Sequence, residues 1–438
     1  MKLGMYIRES WYSLRKDRVY SAVYIIGTGL SLALVMAWLT VQSMHFDNSY
    51  PEVNRDRMLV IPALLEANVG ENWNSSSMSS WKFVERFVDV PTEGMETVTA
   101  FAFSSGTASN DRGESMTAVA EWVDDEFWYV FEFDFTGGRA FSIGNMNQAA
   151  PEAVVSESVA KWLFGHADVV GENLYFDGTE YSISGVVRDA PVTASFAFSQ
   201  IWLPDLDRGD RDASVRSWLG RDSWLGEYVA VVLAEDRSCF SDIRKAIEDR
   251  LERYNNSDGV EYTLELYKGI LTVKESAFMW SGMTSASYTW LGIGIMIFIL
   301  LVPMINLSGM VGSRMETRMS EFGVRKSFGA WRGDILGQVV GENLLMTVLG
   351  GLLGLLLSWL LLSVFPEQFN SIIPAENMAM TFADDVIEAS VFSVRDFFKL
   401  KLYVLLLLVV LALNLISAIL PAVKVIRRPI TDSLNAIK

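Results

Sequence analysis

The sequence predicts an α-helical membrane protein with four transmembrane helices and a large extracytoplasmic α+β domain inserted between the first and second. Three observations predict it. Four apolar runs, at 21–43, 288–311, 339–362 and 402–419, come close to the ~20 residues needed to cross the hydrocarbon core. Between the first and second runs, 44–284 changes to short alternating segments broken by turns, the pattern of a water-soluble mixed domain. Lys and Arg concentrate between the second and third runs, as Arg314, Arg318, Arg325, Lys326 and Arg332, which marks that side as cytoplasmic.

The chain then divides into a cytoplasmic interfacial helix at 1–20, a first span at 21–43 and the external domain at 44–284. A second span follows at 285–312, a cytoplasmic segment at 313–338 and a third span at 339–363. An external loop at 364–399, a fourth span at 400–423 and a cytoplasmic tail at 424–438 complete it. In the first segment Leu3, Ile7, Trp11 and Leu14 recur at helical spacing, leaving Lys2, Arg8, Arg15 and Lys16 for headgroups. The run at 21–43 exceeds the length of a signal-peptide core and no small-residue cleavage site clearly follows, so it reads as a retained span.

In the external domain, strands are expected at 57–62, 98–103, 116–121, 153–156, 180–187, 228–234 and 262–267, and helices at 79–87, 156–164 and 242–254. The dense aromatics Trp122, Trp128, Phe131, Phe133 and Phe135 are assigned to its core. The domain holds 19 Lys plus Arg against 40 Asp plus Glu, so phosphate would be repelled and nucleic acid is excluded as a partner.

Pro303 is expected to kink the second span. Gly350 and Gly354, four residues apart in the third, permit close helix approach, either within the subunit or at a dimer contact. Glu342 opens the third span, where a carboxylate is costly unless paired. A tie to Arg314, Arg318 or a backbone donor at the inner membrane face and a proton pathway are the two readings. Between 363 and 398, Glu367, Glu376, Asp384, Asp385, Glu388 and Asp396 against Arg395 place the last loop outside, and Lys424, Arg427 and Arg428 return the chain to the cytoplasm.

Chemistry is thinly represented. Cys239 is the single cysteine, and His45 and His166 stand far apart with no ligand spacing around them, so neither a disulfide nor a metal site is expected. No nucleotide-binding loop and no constellation of nucleophile and base is present, so no catalytic residues are assigned. Within the cytoplasmic segment, Phe322, Val324 and Phe328 are apolar with no membrane to enter, and Gly323 and Gly329 punctuate a helix short enough to dock on a protein surface.

That stretch closely resembles the signature of the FtsX-like and MacB-like permeases of ATP-binding-cassette (ABC) systems. The ordered matches are Asn306, Arg314, Arg318, Glu321, Gly323, Arg325, Lys326, Gly329, Ala330, Gln338 and Glu342, with Phe322 standing where the family usually has an aliphatic residue. Pro421-Ala-Val and the later Pro429-Ile with Leu434 are similar to the closing motifs. In the external domain Ala153 to Gly165, Val170-Gly171, Tyr181 to Val187 and Pro191 resemble the family's periplasmic core domain, with weaker matches at Asn54 to Val60 and Gly137 to Arg139. The stretch at 205–284 resembles it least and is expected to hold a partner-specific insertion.

The resemblance implies a bacterial inner-membrane permease subunit, multi-pass, with both termini cytoplasmic and the large domain periplasmic. It implies a second permease subunit, the same or homologous, and a cytoplasmic ABC ATPase dimer that carries the ATP and Mg, with no cofactor in this chain. Residues 321–330 would couple to that ATPase. Membrane lipid and a periplasmic partner complete the expected surroundings. The competing reading is a signalling or scaffold protein that transports nothing and regulates a periplasmic partner such as a cell-wall hydrolase.

Overall fold

The computed structural model describes residues 11–12, 14–70, 74–146, 151–279, 281–329, 331–365, 368 and 400–426. The expected external loop at 364–399, most of the tail and the first ten residues therefore lie outside the described residues, apart from positions 364, 365 and 368. The chain forms two compact units, a helical unit (Met1–Gln42, Ala286–Ile373, Val394–Lys438) and a sheet unit (Ser43–Ser285, Pro374–Ser393).

Two sheets build the sheet unit. In the larger, of ten strands among the described residues, the order is Leu271–Thr272, Met58–Ile61, Val229–Ala234, Met95–Asn110, Ser115–Val123, Ile201–Pro204, Glu152–Ser156, Thr179–Val187, Phe135–Gly138. Asn173–Phe176 pairs with both Met95–Asn110 and Thr179–Val187. Pairing is antiparallel except for Ile201–Pro204 on Ser115–Val123 and Glu152–Ser156 on Thr179–Val187. Leu225–Gly226, Asn74–Ser79, Leu64–Asn68 and Tyr262–Leu266 make the smaller sheet.

The expected strands all appear, because each alternates or runs apolar for a strand's length, and six lie within about two residues of their predicted ends, whereas Met95–Asn110 runs well past the expected 98–103. Val229–Ala234, buried at every position, is central in the large sheet between Met58–Ile61 and Met95–Asn110. The stretch at 205–284, where a partner-specific insertion is expected, thus also supplies a core strand. Asn74–Ser79 and the helix Arg208–Leu219 went unpredicted, being too polar to show an apolar period.

Glu157–Phe164 begins at Ser156, whose hydroxyl accepts from Val159 N, and ends at Gly165 with φ +81°. Phe240–Asn255 buries Phe240, Ile243, Ile247 and Leu251, one face of a 3.6-residue period. Of the aromatics assigned to the core, Phe131 is fully buried, and Trp128, Phe133 and Phe135 pack against the same cluster as Phe101, Phe127 and Trp202. Trp122 packs on a different cluster and carries the Arg211 guanidinium 3.9 Å from its ring centroid.

In the helical unit we number the long helices α1 (Arg18–Phe46), α2 (Ser285–Thr317), α3 (Met319–Ser327), α4 (Arg332–Val364) and α5 (Leu400–Ile426). The last turn of α1 belongs to the sheet unit. Three described stretches are long and apolar enough to cross a membrane: Arg18–Phe46, Ile335–Val364 and Leu400–Ile419. Ser285–Leu301 of α2 is a shorter apolar stretch. The helix α2 continues through position 303, where a kink was expected, and runs five residues past the predicted edge of its span at 312. Likewise α4 begins at Arg332 rather than 339. Charged helix formers extend both helices beyond their apolar parts, so the non-helical connection is short.

Helices α1 and α4 meet at glycines. A Cβ at Gly354 would lie 2.8 Å from Leu32 Cβ and 2.9 Å from the Gly29 carbonyl oxygen, and one at Gly350 would lie 3.0 Å from Thr28 Cβ. The glycine pair is therefore used within the subunit. Hydrogen bonds cross the same bundle: Tyr24 OH with Thr347 Oγ1 at 3.1 Å, Asn414 Nδ2 to Thr347 Oγ1 at 3.1 Å, Thr40 Oγ1 with Tyr403 OH at 3.3 Å.

Gly354→Leu should force α1 and α4 apart and lower the melting temperature of the detergent-solubilised protein, an overpacking loss of about 1–3 kcal/mol. Gly294→Leu, where an added Cβ meets nothing within 4 Å, should not. Equal losses in the two variants would refute the close approach.

Candidate coupling site

The cytoplasmic signature residues gather where α2 ends, α3 intervenes and α4 begins. Arg314 lies in the last turn of α2, and the chain turns at Arg318 before α3. Gly329, at φ +88°, follows α3, a backbone conformation that favours glycine. At Gly333 an added Cβ would meet the Trp331 ring at 2.3 Å, so the indole folds over the start of α4.

Glu342 is the centre of the cluster. It is buried, and its carboxylate faces two guanidiniums: Arg318 Nη1 at 3.1 Å from Oε1 and Arg314 Nη1 at 3.3 Å from Oε2. Gln338, one turn earlier on α4, donates from Nε2 to Glu342 Oε1 at 3.3 Å and accepts on Oε1 from Arg325 Nη1 at 2.8 Å. Arg325 also pairs with Glu321 at 2.7 Å, and Glu321 with Arg318 Nε at 3.2 Å. Arg314 reaches Asp17 at 3.2 Å and stands 4.5 Å from the Tyr20 ring centroid. Burial would raise the Glu321 carboxyl, but the hydrogen bond and charge of Arg318, with Arg325 and Lys16, hold it below the usual carboxylate range.

The arrangement ties α3 to α4 and α2 through charge-assisted bonds, which are stronger and more directional than neutral ones. The links of Gln338 to Arg325 and of Arg314 to Asp17 and Tyr20 were not anticipated. The four-residue spacing of Gln338 and Glu342 on one helix face signals their own contact and neither of these links.

The outer face of the segment is apolar. Val324 and Phe328 stand one turn apart and are 46% and 88% exposed, and Trp331 is 75% exposed. Gly323 is buried. The side chains of Asn306, Phe322, Lys326 and Pro421, and the whole of Ala330, lie outside the described residues; Asn306 and Pro421 fall within α2 and α5 by backbone. Gly350 and Gly354 belong to the contact with α1 and not to this cluster.

No group of three or more His, Cys, Asp or Glu side chains placed to hold a metal occurs among the described residues. A cavity of about 300 Å³ in the sheet unit is lined by Trp81, Asp89, Asp124, Asp125, Glu126 and Arg208 among others. Three of its polar groups are occupied structurally: Asp124 accepts from Thr99 Oγ1, Ala100 N and Phe127 N, Asp125 accepts from Ile143 N, and Arg208 lies 3.6 Å over the Trp81 ring.

The MacB-like periplasmic core domain model matches residues 21–249, and the FtsX-like permease C-terminal model matches 293–430. An uncharacterized ABC transporter permease of Bacillus subtilis (strain 168), YknZ, is 25% identical over 263 residues, covering 60% of this chain and 62% of that protein. The macrolide export ATP-binding/permease protein MacB of Shewanella sp. (strain W3-18-1) is 26% identical over 277 residues, 62% of this chain but 40% of the relative. Against the crystal structure of the periplasmic region of MacB from Actinobacillus actinomycetemcomitans the TM-score is 0.33 at 15% identity, over 51% of this chain and 94% of that one. With the first model covering more than half its length and the second covering the helices that carry the cluster, the chain belongs to the MacB/FtsX-like permease family of ABC transporters.

Proposed function

We propose that this chain is a permease subunit that works as half of a dimer with a separate cytoplasmic ATPase, the partner that binds ATP and Mg. In this reading α1, α2, α4 and α5 are four spans, both termini and α3 are cytoplasmic, and the sheet unit is inserted between the first and second spans on the periplasmic side. ATP binding closes the ATPase pair, α3 moves with it, and the spans pass the motion to the periplasmic domain, where a substrate is exported or extracted.

The observation that carries this reading is the two-sided character of α3 and its flanks. Glu321 and Arg325 are anchored through Arg318, Gln338 and Glu342 to neighbouring helices, whereas Val324 and Phe328 are presented outward with their apolar surface bare. An exposed apolar pair on a rigid base suits a docking groove, since such anchors carry most of an interface's energy. The polar groups of the bundle favour transmission over a wet tunnel: Tyr24 and Asn414 each bond Thr347 at helix contacts, while a path for a polar solute needs such groups along its length.

Phe328→Ala should leave the fold intact and weaken ATPase co-purification about tenfold or more, with a matching fall in stimulated ATP turnover, as expected for loss of an apolar anchor. Wild-type coupling in Phe328→Ala and in Val324→Ala would mean that the docking face lies elsewhere.

Glu342→Gln keeps an acceptor for Arg314 and Arg318 and should retain most stimulated turnover. Glu342→Leu removes the buried acceptor that Arg314 and Arg318 share, leaving them Asp17 and Glu321, and should abolish it, a cost of about 3–5 kcal/mol for breaking a buried pair. Loss in the Gln variant with a shifted pH optimum would point instead to proton transfer at this carboxylate.

A further inference from the structure

The sheet unit holds a second buried guanidinium–carboxylate assembly, and it grips the end of a helix. Arg55 and Glu52 are 3% and 0% exposed, with Arg55 Nε 2.6 Å from Glu52 Oε2. Arg55 Nη1 donates to Met44 O at 2.6 Å and to Asp47 O at 2.9 Å, and Nη2 donates to Thr193 O at 2.7 Å. On the other side, Glu52 Oε1 accepts from Phe196 N at 2.7 Å and Ala197 N at 3.2 Å.

Two features set this pair apart from a merely stabilising contact. Met44 lies in the last turn of α1 and Asp47 just past it, where helix carbonyls lack intrahelical donors and a cation is favoured by the helix dipole. The remaining bonds run to 193–197, a loop whose Ala194, Phe196 and Ala197 sit in the aromatic core with Phe101 and Phe127. Apolar residues of similar volume would stabilise a buried site about as well as an ion pair. What a guanidinium adds is a planar fork that fixes several acceptors at once. Here it fixes a helix end, the turn at Glu52 and a core loop in one geometry.

We propose that Arg55, with Glu52, is a positioning element of the transport cycle: it splints the end of α1 to the core of the periplasmic domain, so that displacement of α1 is passed on instead of being absorbed by the chain between 47 and 57. The inference rests on the motion-transmitting reading above. It adds which span delivers the motion and which residues receive it.

The test uses the full chain with its partner ATPase in lipid nanodiscs. On a Cys239→Ser background, spin labels go at Tyr12→Cys and Trp218→Cys, positions 70% and 81% exposed, and their distance distribution is recorded with ADP and with a non-hydrolysable ATP analogue. Arg55→Lys keeps the charge and the Glu52 pair but loses the fork. It should keep the melting temperature and stimulated ATP turnover, while the nucleotide-dependent distance change falls by about half or more, as for a loosened coupling element. Hydrogen exchange should rise together at 43–47 and 193–197. Arg139→Lys, at an exposed pair with Glu152 away from this assembly, should change none of these. Arg55→Met is the second variant. If it folds by thermal melting it should lose the distance change outright, and if it does not, the lysine variant decides. A wild-type change preserved in Arg55→Lys, or in a folded Arg55→Met, overturns the joint and leaves the permease reading standing. No nucleotide-dependent change in the wild type sinks the transmission reading itself, and the joint with it.

Discussion

Within hydrocarbon a charged side chain finds no water, so one buried there has to be answered by other protein groups. That constraint shapes the bundle. Glu342 is its most demanding member, a buried carboxylate near the start of an apolar helix. It is tolerable because Arg314 and Arg318 arrive from the end of α2 and Gln338 from the preceding turn of α4. Satisfying one buried charge thereby locks together the end of α2, the turn at Arg318 and the start of α4, and through Arg325 it orients α3 as well. Deeper in the bundle the same requirement pairs Tyr24 and Asn414 with Thr347, and Thr40 with Tyr403.

The glycines of α4 work by a different route to the same end. Lipid supplies no hydrophobic drive for helix association, so close backbone approach and the dispersion it permits must do so. Gly29, Gly350 and Gly354 allow α1 and α4 to approach until a single methyl would collide. Since these glycines are spent inside the subunit, a dimer contact must draw on other surfaces. The flank of α2 with Leu291, Ile295, Phe298 and Ile305 is apolar and exposed among the described residues.

How far the sequence could be read depended on whether periodicity and charge were clear. Strands such as Val229–Ala234 and the helix Phe240–Asn255 were legible because burial writes a period of two, a continuous apolar run or a period of 3.6 into their side chains. Asn74–Ser79 was not, since three of its residues are consecutive serines held by ladders on both sides rather than by buried apolar groups. The ends of α2 and α4 were misplaced by several residues for a related reason: hydropathy reports where lipid ends, while the helix persists as long as its backbone is bonded. At the coupling site the order of the signature residues was legible, and so was a tie between Glu342 and an arginine. The bond from Arg325 to Gln338 was not, because it joins two helices whose mutual angle no local pattern encodes.

The two arginine–carboxylate assemblies are built from the same chemistry to different purposes. At Glu342 the carboxylate sits on the apolar helix and the arginines come to it, so the burden of desolvation falls on a group that two cations share. At Arg55 the cation is central, and most of its donors go to backbone carbonyls of Met44, Asp47 and Thr193. Backbone acceptors belong to the chain path itself, so a guanidinium bound to three of them constrains where those segments run more directly than a side-chain pair could. A cluster that fixes helix ends against one another suits the place where force would enter. A cation that grips main chain suits the place where a helix has to hold a folded domain without slipping.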